Sequence, residues 1–229
     1  MKRFYVVITG SDGCGKETQS KLLVENLRNE GVEAARISFP NYDSPSSGPV
    51  KMYLSGEFGN NPEEFGAYEA ALPYAVDRLC TMKKFLREDN ESEVVVFDRY
   101  FESNLIYQTR KLKTEAEQEK FINWELDLEL NKMGLPKPDL TIFLDVPLEV
   151  SFKLAQERTS QKNGQSKDIH ELDYAFLKQS YDFSKKLANR FDWRVIDCTD
   201  NGQYLSREAI AQKILEVVNN CYYENGFTI

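Results

Sequence analysis

The chain has 229 residues, enough for one well-buried core, and its 41% hydrophobic and 29% charged content is that of a soluble globular protein and not of a disordered one. Its 37 acidic residues outnumber 29 basic ones, and the net charge of −8 argues against broad electrostatic binding of nucleic acid while leaving room for a local basic pocket. No apolar run reaches signal or membrane-spanning length, and the cysteines at 14, 80, 198 and 221 lack metal-type pairing, so reduced thiols in a cytoplasmic protein away from membranes are expected.

In chain order, the first apolar run is "FYVVIT", Phe4–Thr9, a continuously hydrophobic stretch that suits a strand covered on both faces. It ends in "GSDGCGKET", residues 10–18, and a helix with Leu22, Leu23 and Leu27 on one side follows. A second strand, "AARISF", runs into "SFPNY" and the loop "DSPSSGP". Ala71, Ala75, Leu79, Met82 and Leu86 then advance in steps of four and three, predicting a helix that Pro73 should kink or begin. "VVVFD", Val94–Asp98, is the third strand. Ile122, Leu126, Leu130 and Met133 predict a helix stopped by Gly134 and Pro136.

"LTIFLD", Leu140–Asp145, is the fourth strand and "WRVID", residues 193–197, the fifth; Ile210, Ile214, Val217 and Cys221 mark a last helix. With no repeat or linker, residues 1–229 are expected to form a single domain. Strands alternating with helices imply right-handed crossovers and a doubly wound, five-stranded parallel α/β sheet with helices on both faces. Ligands of such sheets bind beyond the carboxyl ends of the strands.

The loop Gly10, Ser11, Asp12, Gly13, Cys14, Gly15, Lys16, Glu17, Thr18 matches a phosphate-binding loop except at its last required position, where Glu17 precedes the hydroxyl of Thr18. Alone the pattern is weak. Between a strand and a helix it gains force, because loop N–H groups and the helix N-terminus cradle phosphates while Lys16 adds positive charge. Asp12 would be repelled by a polyphosphate unless it faced a metal, a sugar hydroxyl or an arginine. Asp98 can hold Mg²⁺ or its waters, and Arg99 can grip a phosphate with two prongs. Tyr74 and Arg78, four apart on one helical face, can stack a base and bind its carbonyl or a phosphate.

Six segments in order, "GSDGCGKETQ", "FPNY", "YAVDR", "DRYFESNLIYQ", "PKPDLTIFLDVP" and "ERTSQKNGQSKD", resemble the thymidylate kinase family of nucleoside monophosphate kinases over nearly the whole chain. The resemblance implies transfer of the γ-phosphoryl group of ATP to dTMP, with Mg²⁺ as cofactor. It implies that Lys16 and the loop amides hold the ATP phosphates and that Asp12 approaches the acceptor's 3′-hydroxyl. Phe39, Pro40 and Tyr42 would wall the acceptor pocket, Tyr74 would stack on thymine and Arg78 would reach the base. Asp98 would serve the metal environment, Arg99 the acceptor phosphate, and Asn104, Tyr107 and Gln108 the base and sugar. It implies a homodimer through helices such as those containing Leu86 or Trp124.

Phosphoryl transfer needs in-line positioning and positive charge, and an ionised acceptor oxygen needs no strong base. That fits a chain whose single histidine, His170, sits in a polar stretch read as surface. The loop carries no arginine, so extra charge is expected from a lid of about residues 158–170, with Arg158 foremost beside Lys162 and Lys167. Glu17, favourable in a first helical turn, is expected to be tolerated and to reach metal through water. Asn41 stands where some relatives have a basic residue, which removes a potential phosphate contact. Alternatives are a kinase of another pyrimidine nucleotide or of a deoxynucleoside, and a nucleotide-binding protein without turnover.

Overall fold

A computed structural model of the chain describes residues 3–59, 65–89, 91–161 and 174–227. In chain order its elements are β1 (Phe4–Thr9), α1 (Lys16–Asn29), β2 (Ala34–Ser38), α2 (Gly48–Leu54), α3 (Ala67–Glu88), β3 (Val94–Asp98), α4 (Glu102–Tyr107), α5 (Glu115–Leu126), β4 (Leu140–Asp145), α6 (Leu148–Gln161), α7 (Tyr174–Arg190), β5 (Arg194–Asp197), a short hairpin of β6 (Thr199–Asp200) and β7 (Gln203–Tyr204), and α8 (Arg207–Glu224).

β1 to β5 form one parallel sheet in the order β2-β3-β1-β4-β5. The strands alternate cleanly between two cores. Phe4, Val6, Ile8, Val94, Val96, Ile142 and Leu144 pack with Leu23 and Leu27 of α1 and Ile210, Ile214 and Val218 of α8. Val7, Val95, Phe97 and Phe143 face the other way, against Met82, Leu105, Ile106, Ile122 and Leu187. Val6, Val7, Ile8 and residues 94–97 are fully buried, and each such side chain contributes about 1.5–3 kcal/mol relative to exposure. Burial on both faces is why these strands are apolar without a break.

Two details differ from the sequence expectation. Pro73 does not begin its helix, because α3 starts six residues earlier at Ala67 and carries Pro73 in its interior. The helix of Ile122 and Leu130 is α-helical only to Leu126 and continues to Lys132 as a π-helical stretch, with Met133 N–H donating to the Leu128 carbonyl five residues back. Gly134, at φ 63°, then ends it in the left-handed conformation a helix C-terminus favours.

The register decides what meets at the carboxyl edge. Ile8 and Ser38 both pair with Asp98, one on each side of β3. The loops after β1, β2 and β3 therefore emerge side by side.

Candidate active site

The loop after β1 is shaped by glycine. Gly10, Gly13 and Gly15 have φ of 147°, 81° and 92°, a region that penalises any Cβ. At Gly10 contact adds to conformation, since a Cβ there would lie 2.7 Å from Cys14 Sγ and 3.1 Å from the Leu144 carbonyl oxygen. Lys16, 5% exposed, turns its Nζ back into this loop and donates to the Ser11 and Gly10 carbonyls at 2.6 and 3.1 Å. Burial, then the charge of Arg99, lowers its pKa. Glu17 instead faces solvent and pairs with Lys21 at 2.6 Å, one turn along α1. Thr18 is half-buried in the same turn.

Arg99 follows β3 with φ 65°, left-handed for a residue with a side chain, a conformation that costs about 1–2 kcal/mol. Its N–H is tied to the Ile8 carbonyl at 3.2 Å. The turn aims the guanidinium at the loop, where Nη2 donates to Asp12 and Nη1 lies 3.5 Å from the Tyr107 hydroxyl. Lys16 Nζ stands 3.8 Å from the same Asp12 carboxylate. Burial alone would raise the pKa of Asp12, yet the charges of Arg99 and Lys16 outweigh it and hold the carboxylate at about 2. Asp12 thus faces an arginine, one of the three partners that could reconcile it with a phosphate site.

A cavity of about 460 Å³ runs from this loop past Arg99. Asp12, Gly13, Gly15, Lys16 and Glu17 line one end, and Phe39, Pro40, Tyr42, Tyr74, Arg78, Asp98, Arg99, Asn104, Tyr107 and Gln108 line the rest. Lys16 and Arg99 therefore share one space. Residues 41–46 are pinned to α3: Asp77 accepts from the Asn41 N–H at 2.7 Å and from Ser46 Oγ at 2.6 Å. Asn41 turns its amide to Thr81, 3.3 Å away.

At the far end Arg78 is 1% exposed and held by Glu129, with Nε 3.0 and 3.1 Å from its two oxygens and Nη2 2.5 Å from Oε1. Asn104 donates to Glu125 at 2.7 Å.

Asp98 is already engaged, accepting on Oδ2 from Arg36 Nη2 at 2.5 Å and from Ser38 Oγ at 3.2 Å. A metal carried on phosphates keeps most of its water and needs only one or two carboxylates, so a hydrogen-bonded Asp98 on the cavity wall fits an outer-sphere role. Among the described residues, no cluster of three or more His, Cys, Asp or Glu side chains could form a metal cage of its own.

A family model described as thymidylate kinase matches residues 8–209. The chain belongs to the thymidylate kinase family. It is 30% identical over 169 residues to the thymidylate kinase of Mycobacterium tuberculosis, strain H37Rv, covering 73% of this chain and 78% of that one. With the probable thymidylate kinase of Thermococcus kodakarensis it shares 30% identity over 213 residues, 90% and 95% of the two chains. Among solved structures, a thymidylate kinase from Candida albicans shares the fold at a TM-score of 0.67 and 20% identity, over 96% of this chain and 92% of that one. As a member of this family the chain is an ATP-dependent nucleoside monophosphate kinase.

Within this thymidylate kinase fold, the cavity also takes in residues that sequence reasoning did not single out. Arg36, Ser103 and Lys111 line it. Arg36 carried a signal, a lone arginine inside an apolar strand. Glu125 and Glu129 carried none, since nothing in their helix marks two glutamates as partners of an arginine 47 and 51 residues earlier. Arg158 falls within α6 and not in a loop, and its side chain lies outside the described portion, while Lys162, Lys167 and His170 lie outside the described residues. Among the described residues no helix is long and apolar enough to cross a membrane.

Proposed function

We propose that this chain transfers the γ-phosphoryl group of ATP to dTMP, giving ADP and dTDP. The observation that carries the reading is the single cavity spanning Lys16 and Arg99. The residues 10–18 loop, entering α1, takes the donor phosphates on backbone N–H groups, and Lys16 exchanges its loop carbonyls for them. Arg99 grips the acceptor phosphate with Asp12 and Tyr107 holding its plane, so a nucleophilic phosphate oxygen is aligned with the donor. Asp12 also approaches the acceptor's 3′-hydroxyl in this reading. Arg158 supplies further positive charge from the carboxyl end of α6. Asp98 and Asp12 would hold Mg²⁺, which would supply charge neutralisation at the transferring group.

Phe39, Pro40 and Tyr42 form the acceptor wall, Tyr74 stacks on the base, and Arg78, Asn104, Tyr107 and Gln108 read base and sugar. Tight packing of one sheet between two cores supports a single domain over residues 1–229. Four cysteines without a disulfide support a cytoplasmic setting. A homodimer through α3 is supported by Leu72, Val76 and Leu86, which are 44%, 43% and 38% exposed along that helix. Trp124 packs within its own chain against Tyr68 and Phe121, which favours the helix of Leu86 over its own as the interface.

ADP release measured separately with dTMP, dUMP and thymidine tests the reading. Turnover is expected with dTMP far above thymidine, which brings no phosphate to Arg99. Tight ATP binding by calorimetry with no turnover on any acceptor would replace the kinase with a nucleotide sensor.

A further inference from the structure

Behind the base end of the cavity three polar side chains are tied together, and the ties fix which atoms face inward. Asn104 Nδ2 lies 2.7 Å from Glu125 Oε1 and 3.2 Å from the Ala71 carbonyl oxygen. Both amide hydrogens therefore point backward. A backbone carbonyl accepts and never donates, so the amide cannot turn over without setting Oδ1 against it. What Asn104 offers to the cavity is Oδ1, an acceptor.

Arg78 stands beside it with donors only, its guanidinium braced by Glu129 and, at 3.4 Å, by the same Glu125 oxygen. An acceptor next to a donor complements an imide edge, the N3–H and C4 carbonyl of thymine or uracil. Cytosine presents the reverse, a bare N3 beside an amino group.

We propose that Glu125, fully buried behind these two residues, is a positioning residue that sets base selectivity by locking the amide orientation of Asn104. The inference rests on the reading of Asn104 and Arg78 as base readers. Removing the Glu125 acceptor leaves the longer 3.2 Å bond to the Ala71 carbonyl as the one remaining tie of the two, so the orientation that suits cytosine costs less to reach.

Burial, then the charge of Glu129, pushes the pKa of Glu125 up to about 8, and Oε1, flanked by Asn104 Nδ2 at 2.7 Å and Arg78 Nη2 at 3.4 Å, is the oxygen that accepts. A glutamine would keep that acceptor as well. Leucine would not.

Glu125→Leu and Glu125→Gln should be compared with the unsubstituted enzyme for kcat and KM on dTMP and dCMP. Glu125→Leu should lower the dTMP-to-dCMP ratio of kcat/KM at least tenfold, through KM for dTMP, with kcat on saturating dTMP changed less than threefold. Glu125→Gln should restore the ratio to within about twofold. Asn104→Ala should lose the same discrimination, and it decides the matter if Glu125→Leu does not fold. An unchanged ratio in Glu125→Leu or in Asn104→Ala, or no restoration by glutamine, overturns the proposal while leaving dTMP kinase activity intact. Absence of dTMP turnover in the unsubstituted enzyme would instead sink the functional reading beneath it.

Discussion

Replacing Asp12 with asparagine removes the one carboxylate that Lys16 and Arg99 share, and the structure gives its worth. A carboxylate held at about 2 instead of its ordinary 3.8 contributes about 2 kcal/mol to folding at neutral pH. Its side chain is 21% exposed, so solvent screening trims this value without erasing it. Because the folded pKa is depressed, the contribution is complete above 3.8 and lost as pH falls through about 2. For a chain of this size 2 kcal/mol corresponds to a melting-temperature loss of roughly 4–8 °C.

Thermal melts of the enzyme and of Asp12→Asn should therefore differ by that amount at pH 7, and the gap should close between about pH 4 and pH 2. In that range the aspartate takes up a proton and comes to match the amide. A gap that stays constant across that range would refute the reasoning, since it would trace to packing and not to charge. A variant more stable than the parent at pH 7 would refute it outright.

Further outcomes follow from the same geometry. Arg36→Met strands Asp98, which is 5% exposed, and should lower stability by about 1–3 kcal/mol; adding Asp98→Asn should recover most of it in calorimetric melts, and no recovery would mean that the pair is not the source. Gly10→Ala drives a methyl to 2.7 Å from Cys14 Sγ at a φ of 147°, so its urea midpoint should reveal a loss of at least about 2 kcal/mol. Glu17→Ser replaces a side chain that points to Lys21 in solvent, and turnover should change less than threefold at limiting as well as saturating magnesium. A large gain at limiting metal would show that Glu17 impairs the site.

Much of the fold was legible because its central strands are buried on both sides. "VVVFD" and "LTIFLD" have no polar face to confuse the reading, and β3 and β4 run from Val94 to Asp98 and from Leu140 to Asp145 as expected. Helix ends were harder, because a tertiary contact can override a local signal. Pro73 forgoes one backbone bond inside α3, while Ala71, Ala75 and Met82 on the same helix are fully buried and keep it continuous. Arg78 shows the other limit. Its position on α3 and its place on the cavity wall follow from spacing, but its orientation depends on Glu125 at the end of α5 and on Glu129 of a π-helical stretch that no 3.6-residue period announces.

Residue 41 makes a related point. Asn41 leaves "FPNY" without a basic residue, and the structure turns that side chain to Thr81. Yet the cavity is not short of cations there, because Arg36 lines it from the adjoining strand. Arg36 and Ser38 are two residues apart on β2 and so share a face, and the pairing of Ser38 with Asp98 brings both to the same Oδ2. Strand register brings an arginine to the cavity five residues upstream of Asn41, where its charge is paired with Asp98.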